Sequence, residues 1–496
     1  MKMYLIDLCK GGMMKTRNIV LVGIIATLAI ACGKSFTDLK PISERNTAEF
    51  YKSAQDFNTA IMGVYDGLQA LYGSEATQHS TNGSLWILTE VRSDNTDAGG
   101  DVTGLAASLA QINTFTETPS NQYLTNFWIS AYQEINRCNA ILDRIDNIDM
   151  SDALRKQYKG ETLFIRSLVY FHLAQLFGNV PLRLKEPQSI YEDINQVPAS
   201  DVYKQLITDL KTAISDLPTS YSSNNVGRAT KGAAEALLGD VYLTTGDKQN
   251  AKTTLQTIVS SNQYSLLPNY ADLWDVNNKD NAESVFEVHY KGGAIGEGSP
   301  FTNLFSPSSD LQPGVGEGVN RPSLDLVDAF EPGDARFKIS MDTSYVDPVS
   351  GDTISARYVK KYFSQEATQY DADNDFYVYR YADVLLMLAE AEGESPEAYS
   401  LINQVRARAG LGSIDGNTPG TFSEKLLHER RVEFAFENKR WYDLKRFGVA
   451  VQTMKNVVEA DNEGNYAIDS HNLIYPIPRR ELDATSELKQ NDGYSQ

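Results

Sequence analysis

The chain has 496 residues, 42% of them apolar, with 45 Lys and Arg against 65 Asp and Glu for a formal net charge of −20. The length exceeds one small domain and the apolar fraction is that of an ordinary globular protein, which excludes a disordered chain and a multi-span membrane protein. The acidic balance excludes nucleic acid as the main partner, since binding phosphates needs a basic surface, and three cysteines are too few for a disulfide scaffold.

Lys15 and Arg17 precede an uncharged run from Ile19 to Ala31 that ends in Ala-Ile-Ala before Cys32. A spanning helix needs about 20 apolar residues, so residues 1–31 read as a signal peptide. Small residues followed by Cys resemble the bacterial lipoprotein signal, which predicts acylation of Cys32; an ordinary secretory signal that contains a cysteine is the competing reading. The stretch Met1 to Gly12 has no role in such a signal, and a start at Met13 or Met14 is expected. Each buried CH₂ contributes about 0.8 kcal/mol and stable anchoring takes roughly two acyl chains, so a lipidated Cys32 would hold the protein at a membrane without a spanning segment. Removing residues 1–31 deletes Lys2, Lys10, Lys15 and Arg17 but only one acid, Asp7, which makes the mature chain more acidic. With Cys9 removed and Cys32 acylated, Cys138 is left as the single thiol.

Residues 32–50 read as a tether. Apolar residues at Phe50, Phe57, Ala60, Ile61, Val64, Tyr65 and Leu68 have period 3.6, which predicts a helix over 48–71. The same pattern predicts helices over 124–147, 152–177, 200–217, 228–243, 248–261, 378–393, 396–409 and 422–447. The intervening regions, 83–120, 178–199 and 262–375, are rich in Gly, Pro, Asn, Asp and Ser with short strand-like runs such as Ser284 to Tyr290. Leu238, Gly239, Tyr242, Ala251 and Leu255 have tetratricopeptide spacing, in which small residues let two antiparallel helices approach. Ala389, Ala398 and Ile402 repeat that step. Thr421 and Glu424 form a capping box that starts the C-terminal helix. The fold class expected is therefore mainly α, a tetratricopeptide-like repeat scaffold with a loop-rich half and short strands.

No catalytic constellation stands out. Glu429 and Glu433 could be a glycosidase pair, which needs a separation of about 5–9.5 Å, but Arg430, Arg431 and Arg440 would hold both ionised, so a structural ion-pair network is the favoured reading. His79, His172, His289, His428 and His471 are scattered, and none pairs with a second His at metal-ligand spacing. Asp371, Asp373 and Asp375 alternate like a calcium loop, yet Phe376 stands where Gly is required and Ala382 where the closing Glu should be. Gly314, Gly316 and Gly318 lack the strand and capped helix of a phosphate cradle. No Gly-x-Ser-x-Gly elbow is present. No catalytic residue, metal or cofactor is predicted. What remains is binding, for which loop-borne aromatic faces are suited: Trp86, Trp274, Tyr290, Phe301 and Phe305 are the candidates, each with core packing as its alternative. Trp128 and Trp441 fall in helices and are assigned to the core. Asp94, Asn95 and Asp97, in the polar turn that begins at Ser93, either cap the next segment or bond ligand hydroxyls.

Taken in order, these features resemble the SusD/RagB family of surface lipoproteins. The resemblance rests on Asp38-Leu39 and Pro41, Phe50-Tyr51, Gly63 and Tyr65, Ser93-Asp94-Asn95 and Phe127-Trp128. It continues with Arg166, Tyr170 and Phe171, Arg228 and Thr230, and Arg380-Tyr381-Ala382-Asp383 with Ala389-Glu390-Ala391. Asn403, Arg406 and Arg408, then Glu429-Arg430, Glu433, Glu437 and Arg440-Trp441, and finally Pro476-Ile477-Pro478 and Gly493-Tyr494 complete it. The resemblance implies about four tetratricopeptide-like helix pairs, with residues 51–260 as the N-terminal helical region and 261–496 as a C-terminal region holding the loop insertion. It also implies a non-catalytic, outer-membrane, lipid-anchored subunit that faces the cell exterior, captures glycans and acts as lid of a SusC-like TonB-dependent transporter. A peptide-capturing lid also occurs in the family. Only Phe301 and Phe305 are aromatic between Lys291 and Arg321, which leaves that alternative open beside a helical glycosidase and a pure assembly scaffold.

Overall fold

A computed structural model describes residues 50–73, 84–99, 106–189, 195–222, 225–308, 311, 316–364, 368–457 and 468–495. The signal peptide, Cys9, Cys32, all of the tether but Phe50, and Gly314 lie outside them. The chain divides into two units, residues 1–56 and 57–496, and the second holds everything that follows except the first three residues of the first helix.

The periodic segments are helices: α1 (Ala54–Tyr72), α2 (Gln122–Leu142), α3 (Asp152–Phe177), α4 (Ala199–Asp216), α5 (Lys231–Thr244), α6 (Lys248–Ser261), α7 (Tyr381–Glu392), α8 (Pro396–Arg408), α9 (Phe422–Glu433) and α10 (Arg440–Arg446). Their starts follow from side chains that accept the unpaired N–H groups of the first turn: Ser151, Thr230 and Ser395 cap α3, α5 and α8, and the Thr421 and Glu424 capping box opens α9. From α2 to α8 each helix packs on the next, including α6 directly on α7. The repeat array is thus continuous in space although residues 262–380 interrupt it in sequence. Gly239 shows why small residues are needed: a Cβ there would lie 2.5 Å from Leu255 Cδ2, so the α5–α6 seam closes only around hydrogen. Ala389, Ala398 and Ile402 do the same work between α7 and α8, inside an apolar cluster with Leu385, Leu386 and Val405.

Strands are short and pair antiparallel in twos: β1 (Thr96–Gly99) with β5 (Val319–Pro322), β2 (Val180–Pro181) with β3 (Gln196–Val197), β4 (Ser284–Val288) with β8 (Phe376–Arg380), and β6 (Met341–Val346) with β7 (Thr353–Val359). Two expectations need correction. Residues 378–380, expected to be helical, are the end of β8, because the backbone there pairs with β4 before Arg380 turns into α7.

The helix expected over 422–447 is broken at residues 434–439, where Phe436 and Asn438 take φ of 69° and 62°, a conformation unfavourable for a bulky side chain. The surroundings fix it. Tyr362 donates to Phe436 O at 3.1 Å, Asn438 N donates to Glu90 Oε1 at 2.7 Å, and Glu437 receives Lys361 at 2.7 Å and Arg380 at 2.8 Å. Buried polar bonding outweighs the helical periodicity here.

Candidate functional site

The Ser93 turn is a structural joint. Asp94 is buried and accepts a bidentate pair from Arg440, with both N–O distances 2.7 Å, and a third contact from Arg431 at 3.1 Å. Burial alone would raise its pKa, but Arg431 and Arg440 outweigh that and hold the carboxyl down at about 2. Asn95 accepts from Arg431 at 3.0 Å and donates to Glu90 at 3.3 Å. Asp94 and Asn95 therefore join the N-terminal half to α9 and α10, and their polar atoms do not face a ligand. Asp97 is also buried, but its partner Arg321, at 2.9 Å, keeps about a third of its side chain exposed. Burial raises the Asp97 carboxyl above its ordinary value despite Arg321.

The five candidate aromatics come together, but as a floor and not as a surface. Trp86 meets Phe305 edge-on at 5.3 Å, Phe305 stacks on Phe301 at 5.5 Å, and Tyr290 meets Phe301 at 5.9 Å. Tyr362 links Phe305 to Trp274 at 6.1 and 5.4 Å. Trp86, Tyr290, Phe301 and Phe305 are at most 3% exposed, so the expectation that they offer stacking faces is corrected: each ring is buried and packs against at least one other ring. Trp274 is half-buried, with Lys361 Nζ 4.3 Å above it. Rings packed this way contribute about 0.5–1.5 kcal/mol per pair beyond area burial, which makes a rigid base.

Loops converge on that base. The short helix Phe301–Phe305 is bonded by chain that arrives from several directions. Gly73 lies against the Phe301 ring, Glu317 N donates to Asn303 O at 3.0 Å and Gly318 N to Ser306 O at 2.8 Å. Tyr370 N donates to Asn303 Oδ1 at 2.6 Å, and Ser364 N to Thr302 Oγ1 at 3.4 Å. Gly99, at the end of β1, pairs with Val319 beside them. Polar groups rim this platform: Asp97 with Arg321, and Glu317, which accepts from the Tyr370 hydroxyl. Loops carried on a rigid element are the usual place for binding groups, and the covered aromatic base serves as their support. The meeting of Arg321, Glu317 and Tyr370 with residues 73, 99 and 301 was not legible in the sequence, because nothing in their spacing links them.

Glu429 and Glu433 are fully buried, and Arg336 Nη1 bridges them at 2.7 and 2.8 Å. Arg406 adds to Glu429 at 3.0 Å, while Arg380 and Arg408 both pair with Glu433. Burial would raise the Glu433 carboxyl, but Arg408, Arg380 and Arg336 hold it well below the carboxylate range. A carboxylate so held has no proton to give a leaving group, and both are sealed from substrate. Asp371 and Asp373 accept backbone N–H groups of Gly293, Ala294 and Gly292, and Asp373 also pairs with Lys291; these acids pin a loop.

Two sequence profiles match the chain, that of the SusD family over residues 282–494 and one described as starch-binding, associating with outer membrane, over 38–243. A SusD-like protein of Formosa agariphila, P2, is 28% identical, covering 97% of this chain and all of the relative. The starch-binding protein SusD of Bacteroides thetaiotaomicron is 23% identical, over 78% of this chain and 81% of its own. Among solved structures, a laminarin-binding SusD-like protein superposes with a TM-score of 0.77 and 30% identity, covering 90% of this chain and all of that one. The chain belongs to the SusD/RagB family.

Proposed function

We propose that this protein is a non-catalytic glycan-binding subunit of the cell surface. It is anchored at the outer membrane through Cys32 after removal of residues 1–31, and it captures oligosaccharides as the lid of a SusC-like TonB-dependent transporter. The observation that carries the reading is the platform: a rigid aromatic floor, rimmed by Arg321, Asp97, Glu317 and Tyr370, on which loops from distant parts of the chain converge, in a fold that a laminarin-binding relative shares at 30% identity. A β-glucan of the laminarin type is the first ligand to test. The sealed, arginine-held Glu429 and Glu433 support binding without cleavage.

Isothermal titration of the purified protein with laminarin, malto-oligosaccharides and mixed oligopeptides tests the ligand class. Saturable binding of a glycan is expected, and Arg321→Ala and Glu317→Gln should each weaken it about threefold or more, the worth of one hydrogen bond of ~0.5–1.5 kcal/mol. Binding of peptides with none of glycans would replace the reading with a peptide-capturing lid. Release of reducing ends from laminarin would overturn the non-catalytic assignment. Affinity purification from solubilised outer membranes tests the transporter, and failure to recover a barrel protein would remove that part.

A further inference from the structure

Glu287 and His289 stand two residues apart at the end of β4, so their side chains leave the same face of the strand. The preceding turn brings Asp280 to them, and one ligand atom from each of the three lies within 4.8 Å of the others. The local backbone is unusual in a way that builds this meeting. The β4 register shifts on both sides of Phe286, and such irregularities re-aim side chains; Asp280 is held at φ 49°.

Glu287 is 3% exposed. Its Oε1 accepts from Asp280 N at 2.6 Å, but Oε2 has no hydrogen-bond partner, and neither has His289 Nε2. The other ring nitrogen, Nδ1, lies 2.9 Å from Asp375 Oδ2, and Asp375 is fixed by Lys279 at 2.6 Å and Tyr290 N at 2.7 Å. Nε2 faces Asp280 Oδ1, 3.3 Å away. Three carboxylates, those of Asp280, Glu287 and Asp375, thus surround one imidazole. Lys279 offsets only one of the three carboxylates, and the Arg228 guanidinium nearby is engaged by Glu161 at 2.8 Å.

Gly227, at φ 92°, packs beside the ring: a Cβ there would fall 2.3 Å from His289 Nε2, so a side chain at this position would crowd that nitrogen. We propose that Asp280, Glu287 and His289 form a binding site for a divalent transition-metal cation, zinc by the chemistry of one imidazole and two carboxylates. Asp375 is the outer partner that orients the imidazole, the arrangement usual for metal-bound histidine. Asp280 and Glu287 also line a cleft of about 360 Å³ flanked by Tyr221 and Tyr264. A cation there would tie the turn before β4 to β8 through Asp375.

The test is titration of chelator-stripped full-length protein with zinc chloride, followed by calorimetry and by metal content after gel filtration. Wild type should retain one equivalent and melt at a higher temperature with zinc than without. Asp280→Asn, on the exposed edge of the site, and Glu287→Gln should each weaken zinc about tenfold or more, and Asp375→Asn, which touches no metal, about tenfold through the ring. Cobalt loading should give a visible ligand-field spectrum that the Asp375→Asn variant shifts. If Glu287→Gln fails to fold, Asp280→Asn, checked by circular dichroism, carries the test alone. No retained zinc in wild type, or equal retention in wild type and Asp280→Asn, would overturn the site, as would an NMR spectrum in which His289 carries both protons in the presence of zinc.

Discussion

Replacing Asp94 with Asn separates a structural joint from a ligand contact. The change keeps the shape but leaves the Arg440 guanidinium, 7% exposed, without its carboxylate, and removes one of two carboxylates from Arg431, whose other is the exposed Asp325. Two routes give the magnitude. The carboxyl is held at about 2 against an ordinary 3.8, and at about 1.36 kcal/mol per pKa unit the folded state favours the charged form by about 2.5 kcal/mol. Breaking a buried pair by removing one partner costs about 3–5 kcal/mol. At about 2 °C per kcal/mol, the lower end of the range for large domains, Tm at pH 7 should fall by about 5–10 °C. The sign with pH is fixed by the direction of the shift. A depressed carboxyl contributes stability that is fully present above 3.8 and lost as pH falls toward 2, so the gap between wild type and Asp94→Asn should narrow between about pH 4 and pH 2. Differential scanning calorimetry at these pH values, with laminarin titration well below the transition, measures both. An unchanged Tm together with weakened glycan binding would refute the joint and return Asp94 to the ligand site.

Gly239→Ala should cost about 1–3 kcal/mol by overpacking against Leu255 and should be largely relieved in the Leu255→Ala background; additive losses in that double-mutant cycle would sink the close-approach account. Phe301→Ala should lower the urea midpoint by the equivalent of about 3–5 kcal/mol, whereas a ring on the surface would leave the midpoint unmoved. Arg380→Met removes a cation shared by Glu283, Glu433 and Glu437 and should cost about 3–5 kcal/mol. Because Arg380 helps to hold Glu433 low, acid unfolding followed by circular dichroism should move to higher pH in this variant, and an unchanged acid midpoint would contradict the assignment.

The scaffold was legible because helical burial writes itself into sequence at period 3.6, and because helix seams need small residues at fixed steps such as Tyr242 to Ala251. The platform was not. Side-chain type identified Trp86, Tyr290, Phe301 and Phe305 as a related set, and they do meet, but an aromatic ring serves equally as a ligand face and as core. For Phe301 and Phe305 the decision lies with Tyr362, some sixty residues away, and for Phe301 with Phe376 as well. The Ser93 turn failed for a similar reason: its partners Arg431 and Arg440 are more than three hundred residues distant, beyond any local pattern. The cation site left a local trace that a search for paired histidines passes over, since Glu287 and His289 alternate on a strand and the third group comes from the turn before it.

The direct packing of α6 on α7 has a consequence for how this architecture can diversify. Residues 262–380 leave and rejoin the array at neighbouring helices, so the insertion can lengthen, shorten or be exchanged without altering the register of the repeats, and the entropy of closing a longer excursion rises only slowly with its length. The exchange is not unconstrained. Glu283 neutralises Arg408 of the scaffold, and Arg336 bridges Glu429 and Glu433, so a replacement segment must supply an acid and a guanidinium at those two points. A chimera that transplants the whole insertion, with its two charged plugs, should fold where one cut inside them does not, which makes the segment an exchangeable structural cassette.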